Sequence, residues 1–245
     1  MKWLPKWVGK VYSKLWAEFR EKLFFFEDAN KILGKTTPNY LSELKKAQAL
    51  FIFKRKARKR IYRLVPPNLF SFAIANNIDL GWLKQGRYSN IILLVFLKLK
   101  EFFGSDFLSL GIFGSIARNM AKNDSDIDFF VIFKDLPDSI GERINLIVEI
   151  EDAKEIKDEL TFLSNNSIYP RFSYHIRKKD ELGLNFFIID IAFDLKIIYD
   201  SLNILENFLF EINKKIREKH IQRKYLDKER YYLDLNLSFG EVFKF

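Results

Sequence analysis

Apolar residues recur every three to four positions near the N-terminus. Val11, Leu15, Phe19 and Leu23 fall on one face and predict a helix over residues 11–24. A shorter helix is expected from Glu27 to Leu33, closed by Gly34. A third extends to about Ala47, capped by Thr37, with Pro38 at its first position and Leu41 and Leu44 inward. The pattern then shortens. Leu50-Phe51-Ile52-Phe53 and Ile61-Tyr62-Arg63-Leu64-Val65 flank the basic stretch Lys54-Arg55-Lys56-Ala57-Arg58-Lys59-Arg60, which reads as two strands and a charged hairpin stopped by Pro66-Pro67. Residues 68–103 read as helical connectors, with Ile91 to Leu99 apolar nearly all round and therefore expected to pack against the C-terminal part of the chain. Leu108 to Phe113 is a strand pattern that runs into Gly114-Ser115. A helical piece (Ile116 to Ala121), a turn (Lys122 to Ser125) and a second strand (Asp126 to Phe133) come after it. Asn185 to Asp194 also reads as a strand, with acids at two same-face positions.

Composition narrows the chemistry. The 245 residues are 48% hydrophobic, with 26 Phe, enough for a substantial core in two domains. No apolar run approaches the roughly 18 residues of a membrane span, and the N-terminus has no signal-peptide core, so a cytoplasmic protein with no membrane partner is expected. There is no cysteine and only His175 and His220, which excludes thiolate zinc sites, thiol nucleophiles and multi-histidine clusters. His175 sits in a strand-like alternation and is expected to be structural; His220 lies in a basic helical run and is expected to be solvated. Residues 1–63 carry 17 of the 41 Lys and Arg but 5 of the 32 acids, a net of +12 against −3 for the rest. The N-terminal quarter thus has the character of a polyanion binder, and the remainder that of a slightly acidic enzyme.

The residues from 111 to 133 carry the chemistry. Gly-Ser at a strand-to-helix junction presents backbone N–H groups to an anion, glycine allowing close approach and serine adding a hydroxyl donor. Asp126 and Asp128 project from one strand face about 7 Å apart along the backbone. Left unpaired they would repel, and hard oxygen ligands with no Cys or His nearby point to Mg2+ or Mn2+. Arg118 is poised either for a triphosphate or for a local salt bridge, and Lys122 beside it is expected to be solvated.

Gly114-Ser115-x-Ala117-Arg118, with Ser125-Asp126-x-Asp128 after it, resembles the signature of the DNA polymerase β-like nucleotidyltransferases, closest to the minimal archaeal and bacterial type. Asn119 departs from the pattern, since many minimal members carry glycine there. The resemblance implies a third carboxylate on a later strand, for which Asp190 is the choice, Asp194 the runner-up and Asp200 behind it; capping or a strand end is the favoured reading of the last two. It also implies nucleotide binding by Gly114, Ser115 and Arg118, and metal ligation and catalysis by Asp126, Asp128 and Asp190. The aromatic C-terminal stretch from Tyr231 to Phe243, with Gly240-Glu241-Val242, is similar to the end of archaeal members and is expected near the site.

Residues 10–67 resemble winged helix-turn-helix modules of transcriptional regulators and of abortive-infection antitoxins. That likeness implies base contacts from the Thr37–Ala47 helix (Asn39, Tyr40, Ser42, Lys45, Lys46) and phosphate contacts from Lys54, Arg55, Lys56, Arg58, Lys59 and Arg60. The expected fold is α+β: a mostly helical winged-helix domain (1–67), a helical linker (68–103) and a nucleotidyltransferase domain (104–245) whose mixed sheet is flanked by helices. The expected reaction transfers a nucleoside monophosphate from an NTP to a hydroxyl, on an RNA 3′ end or a protein such as a partner toxin. The alternative is a DNA-binding regulator whose catalytic-type domain only binds nucleotide.

Overall fold

A computed structural model describes residues 1–227, 230–238 and 241–243, with the side chain of residue 140 left out. The N-terminal unit starts with α1 (Lys6–Phe19) and a two-residue strand β1 (Phe24–Phe25), then α2 (Phe26–Leu33), α3 (Thr37–Lys46) and the hairpin β2 (Leu50–Lys56) and β3 (Lys59–Leu64). Pro5 precedes α1 and the helix ends at Phe19, so Leu23 leaves the helical face assigned to it. Phe24 and Phe25 instead pair with Tyr62 and Ile61, giving an antiparallel sheet in the order β1-β3-β2. A two-residue strand has no periodicity to read. Gly34 closes α2 at φ 67°, as expected of a helix-ending glycine. Thr37 opens α3 but does not cap it: its hydroxyl donates to the Gly34 carbonyl at 2.6 Å.

Two helices then lead to the central sheet: α4 (Pro67–Ala75) and α5 (Ser89–Phe103). Every residue from Ser89 to Phe96 of α5 is buried, as its all-round apolar pattern requires. The sheet consists of β4 (Phe107–Phe113), β5 (Ile127–Phe133), β6 (Phe172–Lys178) and β7 (Lys196–Asp200), in the order β6-β5-β4-β7. β5 and β6 run parallel, and the other neighbours antiparallel, so the sheet is mixed. Between them lie a short α6 (Gly114–Ala117), α7 (Ile140–Glu151), α8 (Lys154–Asn165) and α9 (Phe186–Ala192). After β7 come α10 (Ile204–Glu218) and the hairpin of β8 (Gln222–Tyr225) and β9 (Tyr231–Asp234).

The alternation of β5 separates two cores. Ile127, Phe129, Val131 and Phe133 face a core that runs through α5, α8 and the N-terminal unit. Phe130 and Ile132 face a second core built with α9 and α10. Asp128 shares the parity of this second set, so its side chain is directed to the α9 side of the sheet. The first core is continuous from Val8 in α1 to Ile198 in β7. Across it, Arg63 of β3 forms a bidentate pair with Glu159 of α8 at 2.5 and 2.8 Å, with both side chains about 96% buried and the guanidinium 3.7 Å from the Phe162 ring.

Candidate active site

Gly114 sits where β4 turns into α6, at φ 70°, and a Cβ there would collide with the Asp128 carboxylate. Only glycine satisfies both the left-handed backbone and this close approach. Ser115 is next, and the carbonyl oxygens of Gly114, Ser115 and Ile116 accept from Arg118, Met120 and Asn119. Asn119 is itself in the left-handed region at φ 59°. Its side chain accepts from the Lys84 N–H at 2.6 Å and donates to the Trp82 carbonyl at 3.1 Å. Asparagine tolerates this conformation better than most residues, so the departure from the glycine of the family signature keeps the turn and ties it to the segment before α5. Gln85, Arg87 and Tyr88 hold the carbonyls of Ala121 and Lys122 in the same way, fixing the loop that leads to Asp126.

Phe113, Gly114, Ser115, Arg118, Ser125, Asp126, Asp128, Asp190, Asp194, Arg223 and Tyr231 are all on the wall of one open cavity of about 300 Å³. The six residues assigned to catalysis and nucleotide binding therefore meet in one place. Burial, and then the charge of Asp126, push the Asp128 carboxyl above the usual carboxylate range, with a hydrogen bond from Ser173 and the charge of Arg118 acting against them. Ser173 lies opposite Asp128 on β6. His175, two residues on, stacks on Phe187 with ring centroids 4.6 Å apart, and burial lowers its pKa, in keeping with a structural role.

Asp190 differs from expectation in two respects. It lies on a helix, α9, not on a strand. Asn185 caps this helix by accepting from the Ile188 N–H at 2.9 Å. In addition, among the described residues no three acidic or histidine side chains approach closely enough to hold one cation together. The Asp190 carboxylate instead accepts from Arg223 at 2.8 Å and from the Tyr231 hydroxyl at 3.0 Å. Asp194, four residues on in the turn that follows α9, accepts from both Arg118 and Arg223 at 2.6 Å. Of the two roles open to Arg118, it is engaged in the salt bridge. Asp200 caps α10, accepting from the Leu205 and Glu206 N–H groups, and also takes the Ser109 hydroxyl at 2.6 Å.

Arg223 is a site residue that the sequence does not reveal. Its side chain is 4% exposed, it bridges Asp190 and Asp194, and its guanidinium lies 4.2 Å from the Tyr231 ring and 4.9 Å from that of Phe193. Burial opposes its charge, but Asp194 and Asp190 outweigh that effect and hold its pKa above the usual value. An arginine among the many bases of residues 214–224 carries no local mark of such a role; only the pairing of β8 with β9 delivers it. Of the aromatic C-terminal stretch expected near the site, Tyr231 lines the cavity, whereas Glu241, Val242 and Phe243 line a different one beside the end of α10; Gly240 lies outside the described residues.

The donor chemistry suits a hard cation. Two carboxylates with no sulfur or imidazole, one half-buried and carrying a raised pKa, match Mg2+ or Mn2+, which take one or two carboxylates and complete their shell with phosphate oxygens and water. Asp190 is not required for that fit.

The family model for polymerase β nucleotidyltransferases matches residues 98–183. A protein of Methanocaldococcus jannaschii, provisionally named a protein adenylyltransferase, is 34% identical over 142 residues, which are 58% of this chain and 90% of that protein. Two solved toxin–antitoxin structures are also similar. One, with AMP-PNP, matches at 15% identity with a TM-score of 0.34, over 51% of this chain and 86% of its own. The other, a mutant MntA–HpeT complex, matches at 14% with a TM-score of 0.32, over 50% and 84%. The chain belongs to the DNA polymerase β-like nucleotidyltransferase superfamily and is a nucleotidyltransferase.

Proposed function

We propose that the chain transfers a nucleoside monophosphate from a nucleoside triphosphate to a hydroxyl of a protein side chain, releasing pyrophosphate. The observation that carries this reading is the convergence of the Gly114-Ser115 turn and the Asp126/Asp128 pair on one open cavity. The name of the archaeal relative supports a protein acceptor and an adenylyl group. In this reading Gly114 and Ser115 receive the triphosphate oxygens through backbone N–H groups and a hydroxyl. Asp126 and Asp128 would hold Mg2+ or Mn2+, which when bound neutralises the triphosphate and polarises the α-phosphate. Asp190 takes the proton of the acceptor hydroxyl, and Arg223 holds its carboxylate in place.

The test is titration calorimetry of α,β-methylene-ATP, whose α–β bridge cannot be cleaved, with and without MgCl2, together with pyrophosphate release from ATP. The acceptors to compare are total cellular protein and total RNA. Magnesium-dependent binding and label transfer to protein are expected, both lost in Asp128→Asn. Label on RNA 3′ ends would replace the protein acceptor with RNA; Asp128→Asn activity equal to wild type would end the assignment.

A second reading concerns the N-terminal unit. The helix order, the three-stranded sheet and the fully exposed stretch Lys54–Arg60 support a winged helix that binds nucleic acid. Asn39, Ser42, Lys45 and Lys46 are exposed on α3, and Tyr40 is half-buried against Trp7. Burial, and then Arg60 and Arg55, lower the Lys45 pKa, which places α3 and the hairpin in one positive field. No described helix is long and apolar enough to cross a membrane.

A further inference from the structure

The acceptor end of the cavity already contains a hydroxyl. The Tyr231 Oη donates to the Asp190 carboxylate at 3.0 Å, which is the distance and direction a nucleophile and its general base need. Tyr231 lies on the same cavity wall as Gly114, Ser115, Asp126 and Asp128. Its backbone is held in register by the pairing of Tyr231 with Tyr225, and its ring lies beside the Arg223 and Arg118 guanidiniums, at 4.2 and 5.6 Å. Neither neighbouring tyrosine is so placed: Tyr225 and Tyr232 are 57% and 48% exposed and are not on the cavity wall.

We infer that Tyr231 is itself an acceptor, so that the enzyme modifies its own C-terminal hairpin with a nucleoside monophosphate. This inference rests on the nucleotidyl-transfer reading above. The Tyr231 Oη forms a bond to the α-phosphorus as the bond from that phosphorus to the β-phosphate bridging oxygen breaks. The phenolic proton passes to Asp190, and pyrophosphate leaves with the electron pair. The product is a phosphodiester on Tyr231 and needs no other reactant. Once formed, it occupies the acceptor end of the cavity and breaks the Tyr231–Asp190 hydrogen bond, so the modified enzyme is a poorer catalyst toward other acceptors.

The experiment uses the full chain with each common ribonucleoside triphosphate labelled at the α-phosphate, MgCl2, and no added acceptor. Label retained after denaturation is expected. Peptide mass spectrometry of the wild-type protein should place it on Tyr231, and the rate constant should not change on dilution, as an intramolecular step requires. Tyr231→Phe should lose the label while still binding α,β-methylene-ATP, and pre-modified enzyme should release less pyrophosphate with an external acceptor. Label on Tyr225, Tyr232 or any other residue would overturn the inference. So would a first-order rate constant that scales with protein concentration. Pyrophosphate release with an external acceptor but no self-label would sink this inference alone. Failure to bind α,β-methylene-ATP or release pyrophosphate with any acceptor would sink the transfer reading and this one together.

Discussion

At residue scale the site depends on steric and electrostatic demands that a few atoms impose on each other. Gly114 has a left-handed backbone and leaves the space that the Asp128 carboxylate fills. Gly114→Ala should therefore remove activity and cost about 1–2 kcal/mol from the backbone alone, since left-handed geometry is penalised by that amount for an L side chain; steady-state rates and thermal melts check both. Asp128 gives the opposite result for stability. Its carboxyl is raised by burial and by Asp126, so the folded state holds the proton more tightly than the unfolded chain does. Stability from this group is present below the ordinary carboxylate range and is lost as pH rises through the raised value. In EDTA, Asp128→Asn should raise Tm at neutral pH, and the advantage should shrink as pH falls into the carboxylate range, while catalysis drops by orders of magnitude. A variant that melts lower than wild type at neutral pH would show that Asp128 is not under electrostatic strain.

Individual elements owe their identity to their neighbours. The run Phe186-Phe187-Ile188-Ile189-Asp190-Ile191-Ala192 suits a strand or a buried helix equally well, because short apolar runs carry no distinguishing period. Its helical state arises from Asn185 at the cap and from packing against the sheet face of Phe130 and Ile132. Asp190 and Asp194 lie four apart, an interval that places residues on one side of either a strand or a helix. The two acids share a side in either pattern, but Asp194 lies just past the end of α9, so the helical path brings them within about 6 Å along its axis where a strand would separate them by about 13 Å. The N-terminal unit is joined to α8 by Arg63 and Glu159, whose burial makes each dependent on the other. Burial pushes Glu159 up and Arg63 pulls it back. Glu159→Ala should cost about 3 kcal/mol, because it leaves a buried guanidinium with only the exposed Glu21 carboxylate 3.7 Å away and the Glu21 carbonyl, whereas replacing both by apolar residues of similar volume should cost far less. Chemical denaturation of the two singles and the double gives the comparison.

Over the whole molecule, charge is divided unevenly between the N-terminal quarter and the rest of the chain. Half of the net +12 in residues 1–63 lies in the exposed stretch Lys54–Arg60, far in sequence from the acids of the cavity. Replacing Lys54, Arg55, Lys56, Arg58, Lys59 and Arg60 with serine should weaken duplex binding and flatten its salt dependence, by about 0.9 in log–log slope for each phosphate no longer neutralised. Transfer to a small hydroxyl acceptor should be unaffected. An unchanged slope would remove nucleic acid as the partner of this surface.

The chain's local patterns alone determine the α+β class, the basic hairpin, the buried helix α5 and the Gly114-Ser115 and Asp126/Asp128 pair. Each of these depends on residues close together in sequence, whose spacing sets which side of an element they share. Tertiary structure alone decides that Arg223 and Tyr231 of the last hairpin clasp Asp190 and Asp194, and that Arg63 seeks Glu159. It also decides that Asp190 faces the cavity from a helix without forming a three-acid cluster among the described residues. Such contacts join segments up to about a hundred residues apart, and burial gives them their strength by removing the water that would otherwise solvate each charge separately.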